Sequence, residues 1–119
     1  MKNITFNEWL KGKNFNSNVE SILRIIDHAL IDAAEDTRRG KGRISFGEIK
    51  PEKSLIILFW RSNSVNLQVK AENYPEYSNY GFVMPSYKKH FDAGFMELRI
   101  NDASQFDEKL KRFLIKGLK

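Results

Sequence analysis

The chain has 119 residues, 41% hydrophobic and 29% charged, with a formal net charge of +5, which bounds it to one globular domain, residues 1–119, able to bury a single core. It has no cysteine, which excludes disulfides and thiolate zinc sites and suits a reducing cytosol. Residues 1–36 carry 4 cations and 6 anions, residues 37–70 carry 8 and 2, and residues 71–119 carry 8 and 7, so attraction to polyanions or acidic protein surfaces belongs to the middle third.

The N-terminal run Met1-Lys2-Asn3-Ile4-Thr5-Phe6-Asn7-Glu8-Trp9 lacks the apolar core of a signal peptide. The longest apolar run, Leu55-Ile56-Ile57-Leu58-Phe59-Trp60, is too short to span a bilayer. A cytoplasmic protein without membrane partners is expected. Thr5 and Glu8 have capping-box spacing, and Gly12 is a plausible stop, so residues 6–11 are expected as a short helix within an N-terminal extension, 1–16.

Ser17 and Glu20 form a second such pair. Behind them Val19, Ile22, Leu23, Ile26, Leu30 and Ala33 recur at steps of three and four. This spacing predicts an amphipathic helix over about 18–38, closed by Gly40, with Ser21, Arg24, His28, Asp32 and Glu35 on its solvated face. His28 and Asp32 read there as a surface pair rather than a metal site.

Strands follow. Ile44 and Phe46 alternate with polar neighbours, residues 54–60 are continuously apolar, and Val65, Leu67 and Val69 alternate with Asn66, Gln68 and Lys70. Lys50-Pro51-Glu52-Lys53 and Arg61-Ser62-Asn63-Ser64 read as the turns of a meander. A fourth strand is expected at 95–100. A last helix, capped by Asp102 or Ser104, buries Phe106, Leu110, Phe113 and Leu114 and stops at Gly117. The predicted fold is α+β: a four-stranded, mainly antiparallel sheet with the long helix and the C-terminal helix on one face and the short helix at the edge.

Two segments stand out as candidate sites. The first is the basic patch 37–43, with Arg38, Arg39, Lys41 and Arg43 around Gly40 and Gly42. Arg38 and Arg39 have a structural explanation as cations at a helix C-terminus. That explanation leaves Lys41 and Arg43 over, and arginines beside glycines suit phosphate contact. The second is the long connection 71–94, which holds no period of 2 or 3.6 and contains all four tyrosines, Tyr74, Tyr77, Tyr80 and Tyr87. Tyr80, Tyr87, Lys88, Lys89 and His90, within the aromatic and basic loop 74–91, suit base stacking above a charged groove. Tyrosines also serve protein contacts or cover a core edge.

Catalytic patterns are weak. Glu48-Ile49-Lys50 is an E-x-K triplet of the kind metal-dependent nucleases use with an upstream aspartate. Composition alone supplies about as many acid-x-Lys triplets as the two present. Asp36, placed on the predicted helix, fits poorly as a strand-borne aspartate. No nucleophile motif accompanies His90, and the glycines match no dinucleotide fingerprint. No catalytic residue, metal site or cofactor is expected.

The run Phe46-Gly47-Glu48-Ile49-Lys50-Pro51-Glu52-Lys53-Ser54-Leu55-Ile56-Ile57-Leu58 resembles a small bacterial family of unknown function once labelled "predicted transport proteins". That family occurs alone or appended to predicted nucleases and restriction-type proteins. His90-Phe91-Asp92-Ala93-Gly94-Phe95-Met96-Glu97-Leu98 and Leu114-Ile115-Lys116 are similar to its later parts, so the likeness covers roughly 18–118. Its motifs are short and structural. Phe91 stands where the family often carries Trp. A weaker likeness exists to small domains of the YjbR type, suspected DNA binders. The resemblance implies association with nucleic-acid-processing systems and brings no established catalytic residues to carry over.

Together these readings predict a non-enzymatic nucleic-acid-binding module, monomeric or a small homo-oligomer, that binds DNA or RNA through the two segments. The alternative is a protein-interaction factor, such as a phage- or mobile-element-encoded inhibitor or adaptor, that meets an acidic or nucleic-acid-binding surface of a host protein.

Overall fold

The computed structural model describes residues 4–49 and 52–119. Lys50 and Pro51, half of one expected turn and the lysine of the E-x-K triplet, lie outside them, as do residues 1–3 of the N-terminal run read for a signal peptide. The Thr5–Glu8 capping box forms over α1 (Phe6–Leu10), with Glu8 N–H donating to the Thr5 hydroxyl at 3.1 Å and Thr5 N–H to the Glu8 carboxylate at 3.0 Å. The Thr5 backbone bond holds the Glu8 carboxyl below its ordinary range. Trp9 is buried among Phe6, Phe15 and Trp60, and its indole N–H donates to the Gly40 carbonyl at 2.8 Å. The N-terminal segment is therefore built into the core.

Helix α2 (Ser17–Leu30) buries the expected stripe of Val19, Ile22, Leu23, Ile26 and Leu30. Its cap is Asn16 rather than Ser17: the Asn16 side chain accepts from Val19 N–H at 2.8 Å while its amide donates to the Ser62 carbonyl. The contact with the distant 61–64 turn selects the earlier residue. Asn16→Ala should cost about 1 kcal/mol and Ser17→Ala less than about 0.5 kcal/mol, as read by urea denaturation.

The helix ends at Leu30, eight residues short of the sequence expectation, and Asp36–Arg39 is a strand, β1. Tertiary pairing overrides the helical pattern here. Thr37 pairs with Phe46, and Arg39 turns back to bond Asp27 in α2. In a continuous helix those two side chains, twelve residues apart, would sit about 18 Å apart along the axis. Asp32 and Glu35 accordingly lie beyond the helix whose solvated face they were expected to share.

With β2 (Ile44–Glu48), β3 (Lys53–Trp60), β4 (Val65–Lys70) and β5 (Phe95–Ile100), β1 makes a five-stranded antiparallel sheet in the order β1-β2-β3-β4-β5. The expected four strands are all present, and β1 is the addition. Gly47 sits at a register shift between β2 and β3, where a Cβ would lie 1.8 Å from the Lys53 carbonyl oxygen. On one sheet face Ile44, Leu58 and Leu67 lie in register, as do Phe46, Ile56 and Val69. These pack against α2 and against Leu110, Phe113 and Leu114 of α4 (Glu108–Leu118) in one core.

Asp102 caps only a short turn at 103–105, with Asp107 capping α4 itself, and α4 continues through Gly117 to Leu118. The connection 71–94 is organised by core contacts. Tyr74 is buried, and its hydroxyl donates to the Leu114 carbonyl at 2.7 Å. That burial pushes its ionisation well above the ordinary tyrosine range. Residues 77–80 form a turn of 3-10 helix, Val83 bridges Glu97, and Lys88–Asp92 forms α3. Among the described residues no helix is long and apolar enough to cross a membrane.

Candidate functional site

Side chains alternate across a strand, so the positions between the core rows share the other sheet face. Arg38, Ser45, Ile57, Gln68 and Glu97 make one row across all five strands, and Phe59, Asn66 and Arg99 make part of the next. By strand spacing the first row is about 19 Å long. Two clefts open on this face. One, of about 350 Å³, is lined by Arg38, Gly40, Arg43, Ser45, Glu52 and Ser54. The other, of about 290 Å³, lies against α3 and includes Phe59, Asn66, Gln68, Tyr87, His90 and Glu97.

The structure divides the basic patch. Arg39 is not a surface cation. Its Nε and Nη2 each bond a different oxygen of Asp27 at 2.8 Å, and the two side chains are 2% and 3% exposed. Nor is Arg38 a helix-terminal residue. It lies in β1, bonded to Asp36 and Ser54 with Glu52 at 3.6 Å. Lys41 and Arg43 remain. They flank Gly42 at the exposed tip of the β1–β2 hairpin, closed by a 2.8 Å bond from Gly40 N–H to the Arg43 carbonyl, and neither has a charged partner among the described residues. The four-cation patch of the sequence is thus a two-cation tip.

The aromatic loop divides too. Tyr74 belongs to the core, Tyr77 packs against it, and Tyr80 stacks on Phe113 with centroids 4.0 Å apart. Helix α3 carries the others onto the polar sheet face. His90 lies flat on Phe59 with centroids 5.0 Å apart and planes 10° from parallel, and exposed Tyr87 meets its edge at 5.3 Å. Lys88 pairs with Asp92 at 3.0 Å, while Lys89 is exposed.

Beneath His90 is a network that sequence reasoning missed. Gln68 Nε2 donates to Glu97 Oε1 at 2.8 Å and lies 2.8 Å from His90 Nδ1. A carboxylate only accepts, so Glu97 sets the amide orientation, and His90 Nδ1 must then be the acceptor. The neutral ring therefore carries its proton on Nε2. Asn66 and Gln68 alternate with apolar neighbours as solvent-facing residues do, yet they are 6% and 1% exposed. Only the packing of α3 and neighbouring side chains over β4 distinguishes them from ordinary surface amides.

Asp36, expected on a helix, is strand-borne and opposite Gly47, beside Glu48. Its carboxylate accepts from Arg38, and the described residues hold no group of three or more metal-ligating side chains.

No protein-family model matches the chain, and neither a curated protein nor a solved structure matches it significantly.

Proposed function

We propose that the chain is a non-enzymatic binding module for single-stranded nucleic acid, and that the polar sheet face is its contact surface. One observation carries this reading: a stacked His90–Phe59 pair with exposed Tyr87 shares a sheet face with Arg43, and Lys41 stands on the hairpin tip beside it. Aromatic faces accept any base, and the free cations meet phosphates.

The test is fluorescence anisotropy with labelled single-stranded RNA and DNA between about 50 and about 200 mM salt. Wild-type affinity should fall steeply with salt, and Lys41→Ala with Arg43→Ala should reduce the log–log slope by about 0.7 for each phosphate no longer neutralised. Neither substitution touches the core, so the melting temperature should hold. Flat salt dependence, or no binding at the low-salt end, overturns the reading.

A second reading, a protein-interaction factor, is favoured by Val83 and Met84, which are 63% and 62% exposed beside β5. Val83→Ser with Met84→Ser should then release a stoichiometric protein partner retained from nuclease-treated lysate, and should leave nucleic-acid affinity untouched.

A further inference from the structure

The cleft under α3 holds two acceptors that no donor of the described residues meets. Gln68 Oε1 and Asn66 Oδ1 are both buried without a partner, an arrangement that native proteins rarely tolerate. Gln68 cannot relieve this by turning its amide, because the nitrogen is already committed to Glu97 and His90. Glu97, half-buried in the same wall, is itself only an acceptor. Three acceptor groups therefore line one cleft of about 290 Å³, beside the stacked Phe59–His90 pair and the exposed Tyr87 ring. Arg61 stands exposed at the rim with no charged partner among the described residues.

We propose that this cleft takes one unstacked nucleobase and selects those with an exocyclic amino group. The proposal rests on the nucleic-acid reading above and names the part of the ligand which that reading leaves open. A carboxylate accepts from the N4 amino group of cytosine, and the N6 amino group of adenine offers the same donor pair. Uracil places a carbonyl oxygen where cytosine carries its amino group, and that oxygen would face Glu97 and the fixed Gln68 amide oxygen. The aromatic side chains supply stacking, which is indifferent to base identity. Arg61 takes the adjoining phosphate.

Short oligo(C) and oligo(U) RNAs test this by anisotropy, because the two bases differ only at C4, amino against carbonyl, and at N3, acceptor against N–H, and the cytosine amino group offers two protons to the acceptors where uracil offers one. Wild type should bind oligo(C) about tenfold or more tightly than oligo(U). Glu97→Gln should bring the two within about threefold while leaving the salt slope unchanged. Lys41→Ala with Arg43→Ala should weaken both and preserve their ratio. Tyr87→Ala, at an exposed position that the fold does not need, should weaken both by roughly tenfold. Equal affinity for the two oligomers with a normal salt slope overturns the base cleft and leaves the binding reading standing. A ratio that survives Glu97→Gln in a variant melting like wild type also overturns it. Failure to bind either oligomer overturns both.

Discussion

Arg39→Met should destabilise the fold by about 3–5 kcal/mol, because it strands a buried carboxylate. Asp27 accepts both of its short bonds from this one guanidinium. Arg39 also donates from Nη1 to the Ile4 carbonyl, which ties the N-terminal segment to the same point. Domains of this size are stable by about 5–15 kcal/mol, so the loss is a large fraction of the total. It should lower the melting temperature by roughly 10–20 °C. The double variant Asp27→Leu/Arg39→Met should recover most of that loss, since a buried pair replaced by apolar groups of similar volume is often neutral. A urea-denaturation cycle over the two single variants and the double gives the coupling directly. If Arg39→Met melts within a degree or two of wild type, the buried pair does not hold the fold together.

Gly117→Ala is the second large effect, and its sign is the informative part. At an exposed helix position this change stabilises by up to about 1 kcal/mol. Here a Cβ would sit 2.2 Å from Tyr74 Cε1, far inside contact distance. The ring cannot yield easily, being buried and tethered by its hydroxyl to the Leu114 carbonyl. Net destabilisation of about 2–3 kcal/mol is expected, as for other overpacked cores. Combining it with Tyr74→Leu should cost less than the sum of the two, because the residues share one contact. Gly117→Ala at wild-type stability or above would show that the glycine acts only through its helix position.

Both predictions rest on residues whose neighbours the sequence does not announce. Gly117 reads as a stop signal near the end of an apolar period, but its role is close approach to a tyrosine 43 positions earlier. Arg39 reads as one of four clustered cations, and it is the least available of them. Asp27 borders the apolar stripe of α2, and nothing local shows that it is buried. The candidate site follows the same pattern. Lys41, Arg43, Tyr87 and His90 were legible as chemistry in search of a surface. Gln68, Asn66, Glu97 and Phe59, which hold His90 or surround it, were not.

Within single segments the sequence was sufficient. The Thr5–Glu8 cap, the Val19–Leu30 stripe, the strand at Val65–Lys70 and the burial of Leu110, Phe113 and Leu114 on α4 are as read, whereas Phe106, expected on that helix, is buried just ahead of it. They depend on backbone periodicity and on bonds to residues three or four positions away, which a linear string displays directly. The end of α2, the strand at Asp36–Arg39 and the burial of Gln68 depend on what a distant segment lays against them. Strand pairing withdraws Asp36–Arg39 from the helix, and His90 of α3 together with Glu97 of β5 withdraws Gln68 from water. Desolvation is a property of the packed molecule, so the tertiary structure alone decides which of the chain's many polar residues remain free to meet a ligand.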